Sequence, residues 1–136
     1  MSYAISAALQ TAIYAQLSTN AVLVALVGSD IFDAPPLGTP PATYVSLGPE
    51  QVRDWSTSCG GGAEHDLTIS VVTTEAGFQT AKEVAAAVSD ALELPLPALS
   101  RGHLVSLNFL KARARRDEAG QLRRIDLSFR ARVQDT

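Results

Sequence analysis

"HLVSLNFLKARARR" (residues 103–116) and "LRRIDLSFRARV" (122–133) flank "DEAGQ" (117–121), and how these three pieces are read decides the fold. In the second arm Ile125, Leu127, Phe129 and Ala131 alternate strictly with Asp126, Ser128, Arg130 and Arg132, the period of a strand with one buried face. Gly120 can supply the positive φ that a hairpin loop needs, so the segment reads as one long β-hairpin. In the first arm the alternation slips. Leu107 and Phe109 are in one phase, and Leu110, Ala112 and Ala114 in the other, which a β-bulge near Phe109 and Leu110 would reconcile.

Upstream of the hairpin the period changes. Ala81, Val84, Ala85, Val88 and Leu92 recur at helical spacing, opposite Lys82, Glu83, Ser89, Asp90 and Glu93, so residues 76–93 read as an amphipathic helix opened by Gly77 and ended by Pro95 and Pro97. Before it, Leu67, Ile69 and Val71 alternate with Thr68, Ser70 and Val72, predicting a strand over 66–74. At the start of the chain Ile5, Leu9, Ala12, Ile13 and Leu17 form the stripe of a first helix, with Ser2 as its N-cap. Asn20 then caps a short second helix, "AVLVALV", which stops at Gly28. "IFDAPPLGTPPATYVSLG" (31–48) holds two Pro pairs, which forbid helix and central strand, so an extended loop should lead into a strand at residues 43–47. The expected fold is α+β: an antiparallel sheet with the two longer helices on one face and a long C-terminal hairpin. With 136 residues, no internal repeat and no dividing linker, residues 1–136 are expected to form one domain.

Composition is that of an ordinary globular protein, 46% hydrophobic and 18% charged, with a net charge of −3. The charge is unevenly placed. Residues 1–70 carry six acids against Arg53 alone, while residues 111–132 carry eight bases against three acids, a split suited to nucleic acid or to a head-to-tail self-contact. A single Cys makes no internal disulfide and fits a reducing compartment, and "MSYAISAALQTAIYAQL" lacks the basic start of a signal peptide and the apolar length of a membrane span. Synthesis and folding in cytoplasm are expected, with no membrane partner.

"DWSTSCGGGAEHD" (54–66) gathers rare residues: Trp55, Cys59, Gly60, Gly61, Gly62 and His65. A phosphate cradle needs amides converging on a helix N-terminus, but these glycines lead into a strand and no GxGxxG or GK[ST] is present. Zinc needs three or four ligands, and beyond Cys59 and His65 the only other His is His103 and no second thiol exists, so His65 reads as a polar residue at a strand start. A Cys and His nucleophilic pair would need an orienting third group and an oxyanion hole. The carboxylate pairs Glu64 and Asp66, and Asp30 and Asp33, read as solvated turn and strand-edge groups. No enzyme and no cofactor is expected. Trp55 suits a core anchor under a loop or an interface anchor equally. Arg124, Arg130 and Arg132 share the polar face of the second arm, and Lys111, Arg113 and Arg115 one face of the first. They serve either a solvated or subunit-contacting sheet face, or contact with a DNA backbone, although the aromatic interleaving of single-strand binders is missing.

The ordered set of segments resembles the tail-completion or tail-terminator proteins of long-tailed bacteriophages and gene transfer agents. It runs from "LQTAIYAQLSTNAVLVALVGSDIFDAPPLGTPPATYVSLG" through "DWSTSCGGGAEHDLTISVVTTEAGFQTAKEVAAAVSDAL" to "LVSLNFLKARARRDEAGQLRRIDLSFRARV"; the "RDEAG" turn with its alternating strand is the most recognisable piece. The resemblance implies a non-enzymatic virion protein that forms a ring, usually a hexamer, on the head-proximal end of the tail tube. It implies as partners further copies of the chain, the major tail tube protein and the head connector, with DNA passing through the lumen without specific binding. Under that reading Trp55, Cys59, Gly60, Gly61, Gly62, His65, Arg113, Arg115, Arg124, Arg130 and Arg132 are interface candidates, with Gly60 to Gly62 keeping the loop mobile until contact. A head-completion or connector protein of the same particle is the nearest alternative, and a small DNA-backbone-binding module the next.

Overall fold

The computed structural model describes residues 3–34, 36–56, 58, 60–117 and 121–135. Five strands form one sheet in the order β1-β2-β3-β5-β4, with β1 at Ile31–Phe32, β2 at Thr43–Asp54, β3 at Gly62–Thr73, β4 at His103–Asp117 and β5 at Leu122–Gln134. Helices α1 (Ser6–Thr19), α2 (Ala21–Val27) and α3 (Gln79–Glu93) cover one side of it.

The helices follow their stripes. Ile5, Leu9, Ala12, Ile13 and Leu17 are all buried, as are Ala81, Val84, Ala85, Val88 and Leu92 of α3, which packs on β3 and β5. α1 starts at Ser6 with Ile5 in the N-cap position and no side-chain cap, so the helix begins later than a cap at Ser2, itself outside the described residues, would place it. Asn20 does cap α2, its side chain accepting the Leu23 amide at 3.0 Å, and Gly28 closes the helix at φ 61°. The two helices break by 74° at Asn20, and among the described residues no single helix is long and apolar enough to cross a membrane.

The sheet departs from expectation in three places. Residues 31–32 pair in parallel with Val45 and Ser46, so the sheet is mixed and the Pro-rich segment is flanked by a short edge strand too brief to show a period. β2 continues past Leu47 to Asp54 through a bulge at Gly48 and Pro49, where proline's missing amide hydrogen costs no ladder bond. β3 begins at Gly62 rather than Asp66. α3 likewise begins at Gln79, after Gly77 at φ 76°.

The hairpin has the expected form, with Phe109 opposite Phe129 and Lys111 opposite Ser128, so that Leu110 is the extra residue. A second shift leaves Val105 extra between Leu104 and Ser106. Gly120 lies outside the described residues. At the far end of the hairpin Gly102, at φ 66°, lies against Ile5 and the Gln134 carbonyl, and Arg101 holds Asp135 through two hydrogen bonds of 3.0 and 2.9 Å.

Candidate assembly surface

Alternation in β3 and β5 sends Ala63, His65, Leu67, Ile69 and Val71, with Ile125, Leu127, Phe129, Ala131 and Val133, toward the helices. Their neighbours form the opposite, open face. There the register sets Glu64 opposite Arg132 and Arg53, Asp66 opposite Arg130, Ser70 opposite Asp126, and Arg124 opposite Arg115. These side chains meet. Arg132 Nε donates to Glu64 Oε2 at 2.8 Å and Arg53 Nε to Glu64 Oε1 at 2.6 Å. Arg130 grips Asp66 in a fork, Nε to Oδ1 at 2.8 Å and Nη2 to Oδ2 at 3.1 Å. Arg124 donates to Asp126 at 3.0 Å, Ser70 adds its hydroxyl at 2.7 Å, and Arg115 lies 3.5 Å away.

The acids respond accordingly. The hydrogen bond from Arg132 holds the Glu64 carboxyl below its ordinary range against burial, with Arg53 and Arg130 adding to the effect. Arg130 does the same for Asp66. Burial pushes Asp126 up, but the bonds from Ser70 and Arg124 and the charges of Arg124 and Arg115 bring it below the usual value. Glu64 and Asp66 are therefore not solvated turn groups; both lie within β3, and Glu64 is buried beneath arginines.

Arg124, Arg130 and Arg132 are thus already matched to acids, whereas Lys111 and Arg113 on β4 make no ion pair among the described residues. The face is a mixed ladder, not a basic patch. Two unmatched cations predict a plot of log affinity for duplex DNA against log salt with a slope of about −2 and a dissociation constant on the order of 10⁻⁴ M or weaker at physiological salt. A fluorescence anisotropy titration over a salt series checks this, and a slope near −6 would mean that the paired arginines engage phosphate.

The Trp55 segment closes one end of this face. The Trp55 ring is half-buried, with the Arg132 guanidinium 5.5 Å from its centroid, and its amide donates to the Gly62 carbonyl at 3.0 Å. Gly61 accepts the Asp135 amide at 3.0 Å. Gly62 is buried, and a Cβ there would stand 2.8 Å from the Val133 carbonyl oxygen and 2.9 Å from that of Trp55. At Gly62 glycine is therefore required for space. Cys59 lies outside the described residues.

His65 lies within β3 rather than at its start. It has no exposed surface and points to the helix side, its Nδ1 3.3 Å from Glu50 Oε2. Glu50 was not foreseen. The Gly48–Pro49 bulge resets the alternation of β2 and carries Glu50 onto the helix side, where Tyr3 and Ser6 at the start of α1 donate hydroxyls to it at 2.7 and 2.5 Å. Burial pushes this carboxyl up, yet the bonds from Ser6, Tyr3 and His65 leave it below the ordinary glutamate value. The cluster ties α1 to the sheet.

The profile of the family described as Tail completion protein gp17 matches residues 11–134. The chain belongs to this family. Among solved structures, a chain from "Virion of native gene transfer agent (GTA) particle" is 60% identical and superposes with a TM-score of 0.91, covering 98% of this chain and 99% of that one. No curated protein sequence matches. A tail completion protein is a structural component of a phage-like virion.

Proposed function

We propose that the chain forms a closed ring on the head-proximal end of a phage-like tail tube, stopping tube growth and joining the tail to the head connector. The near full-length likeness to a gene transfer agent virion chain carries this reading. Two features of the molecule support it. Among the described residues neither sheet edge has a partner strand, and two different edges suit heterologous contacts that close by rotation. The open face of the sheet, with its arginines matched to acids, suits a lumen that DNA crosses without being held. Residues 1–136 act as one domain, and the sheet end at Trp55, Gly60 and Gly61 meets a neighbouring protein.

The test is reconstitution. Purified chain mixed with polymerising tube protein should give tubes of arrested length with a ring at one end in negative-stain images; tubes that grow unchecked and bare would reject the reading. Trp55→Ala should still form rings but cap tubes at least about tenfold less efficiently, as expected for a contact anchor worth more than about 1 kcal/mol.

A further inference from the structure

The helix layer does not fully roof the sheet. α3 lies over β3 and β5, and beyond it the edge strand β4 leaves Val105, Phe109 and Leu110 exposed by 46%, 50% and 43%. Ala112 and Ala114 continue the apolar surface, which opens into a groove of about 290 Å³ beside Ala85, Ala86 and Lys82 of α3. Val105 and Leu110 are the two bulge residues, so both bulges put an apolar side chain out of alternation at the edge. The strand is 15 residues long, about 50 Å at roughly 3.3 Å per residue, and among the described residues its outer backbone groups have no partner strand. From Leu104 to Leu110 the open edge carries no charge, whereas Lys111, Arg113, Arg115 and Arg116 charge the remainder, so its first half is the part that offers an apolar seat to another chain.

The opposite edge of the same sheet carries a second open groove. It runs between α1 and β1, has a volume of about 820 Å³, and is lined by Tyr3, Ala7, Gln10, Tyr14, Phe32 and Asp33. Both grooves flank the helix layer, one at each end of the strand order.

We propose that these are the two halves of one head-to-tail contact between copies of this chain: the β4 edge, led by Phe109 and Leu110, seats in the α1–β1 groove of the next copy. The proposal deepens the ring reading and rests on it. Three observations select a second copy as the occupant. Lys82, which lines the β4 groove on the helix side, has no ion-pair partner among the described residues and would meet a groove that carries the exposed carboxylate of Asp33. Two different patches at opposite edges give the heterologous geometry from which rings are built. An edge of about 50 Å also has the length to carry a standard interface of about 800 Å² per partner.

Sedimentation velocity of the full-length chain, alone and with tube protein, tests this with two variants that leave the core untouched. Leu110→Glu alters the exposed bulge residue, and Ala7→Glu the exposed groove wall on α1. Each should keep its circular dichroism spectrum and melting temperature but raise the apparent dissociation constant of assembly by about 100-fold or more. Mixed together, the two should form a one-to-one dimer and nothing larger, because only one intact edge and one intact groove remain between them. Variants that assemble like the parent overturn this contact and leave the ring reading standing. Variants that fall apart but do not dimerise when mixed overturn the head-to-tail pairing. A parent chain that stays monomeric both alone and on tube ends overturns the ring and this contact together.

Discussion

Replacing Gly62 by valine should lower the melting temperature by about 6–12 °C, the equivalent of about 2–3 kcal/mol of overpacking in a chain of this size. The first atom added at this position would stand within 3 Å of two backbone carbonyl oxygens, those of Val133 on β5 and Trp55 at the end of β2. Neither can swing aside like a flexible side chain, since the Trp55 amide is bonded back to Gly62 itself and Val133 sits in the β5 ladder. The strands must part, and with them the seat of Arg132 on the Trp55 ring. Thermal unfolding followed by circular dichroism reads the loss. Ser58→Val, at an exposed position in the same loop, is the control and should shift the midpoint by less than about 2 °C. A Gly62→Val protein that melts with the parent would return this glycine to the role of a simple hinge.

Acid should destabilise the fold strongly, and the sign follows from the direction of the shifts. Glu50, Glu64, Asp66 and Asp126 all have carboxyls held below their ordinary values in the folded chain. Between the folded and unfolded values the unfolded chain binds more protons, so stability is fully present above the ordinary carboxylate value of about 4 and is lost as pH falls through the folded values. The melting temperature should hold a plateau at neutral pH and decline ever more steeply below about pH 4.5. Glu50→Gln isolates one contributor. Its plateau should be lower, because an amide replaces the acceptor of three hydrogen bonds, and its acid decline shallower, because one titrating group is gone. A profile that is flat or rises on acidification would contradict the ion-pair ladder as described.

Much of the architecture was legible because it is periodic. The phase slip between Phe109 and Leu110 pointed to a bulge that the structure places at Leu110, and the alternation in β5 gave the buried and open faces residue by residue. Asn20 and Gly28 marked both ends of α2. What escaped was either too short to show a period or hidden by punctuation. Two residues of β1 have no pattern, and Gly48–Pro49 looks like an end although the strand runs on.

The surface was harder to read for a different reason. Eight bases in the last third look like a basic patch until the register of β3 against β5 brings Glu64 and Asp66, more than sixty residues away in sequence, beneath Arg132 and Arg130. That pairing is a tertiary fact. One signal for it was present, since Glu64 and Asp66 share the phase of Thr68 and Ser70; continuing the alternation back through the glycines would have started the strand at Gly62.

The closure around Gly102 has a practical consequence. Ile5 and Gln134 both touch this one glycine, and Arg101 clasps Asp135 beside it, so the two ends of the described chain emerge at the same corner of the sheet. A fluorophore or gold label on either end therefore marks the same spot in an assembled particle, far from the tip where Asp117 and Leu122 turn the hairpin. The same nearness means that the ends can be joined by a short linker and the chain reopened at the exposed Ser58, giving a permuted subunit whose new ends lie at the Trp55 surface.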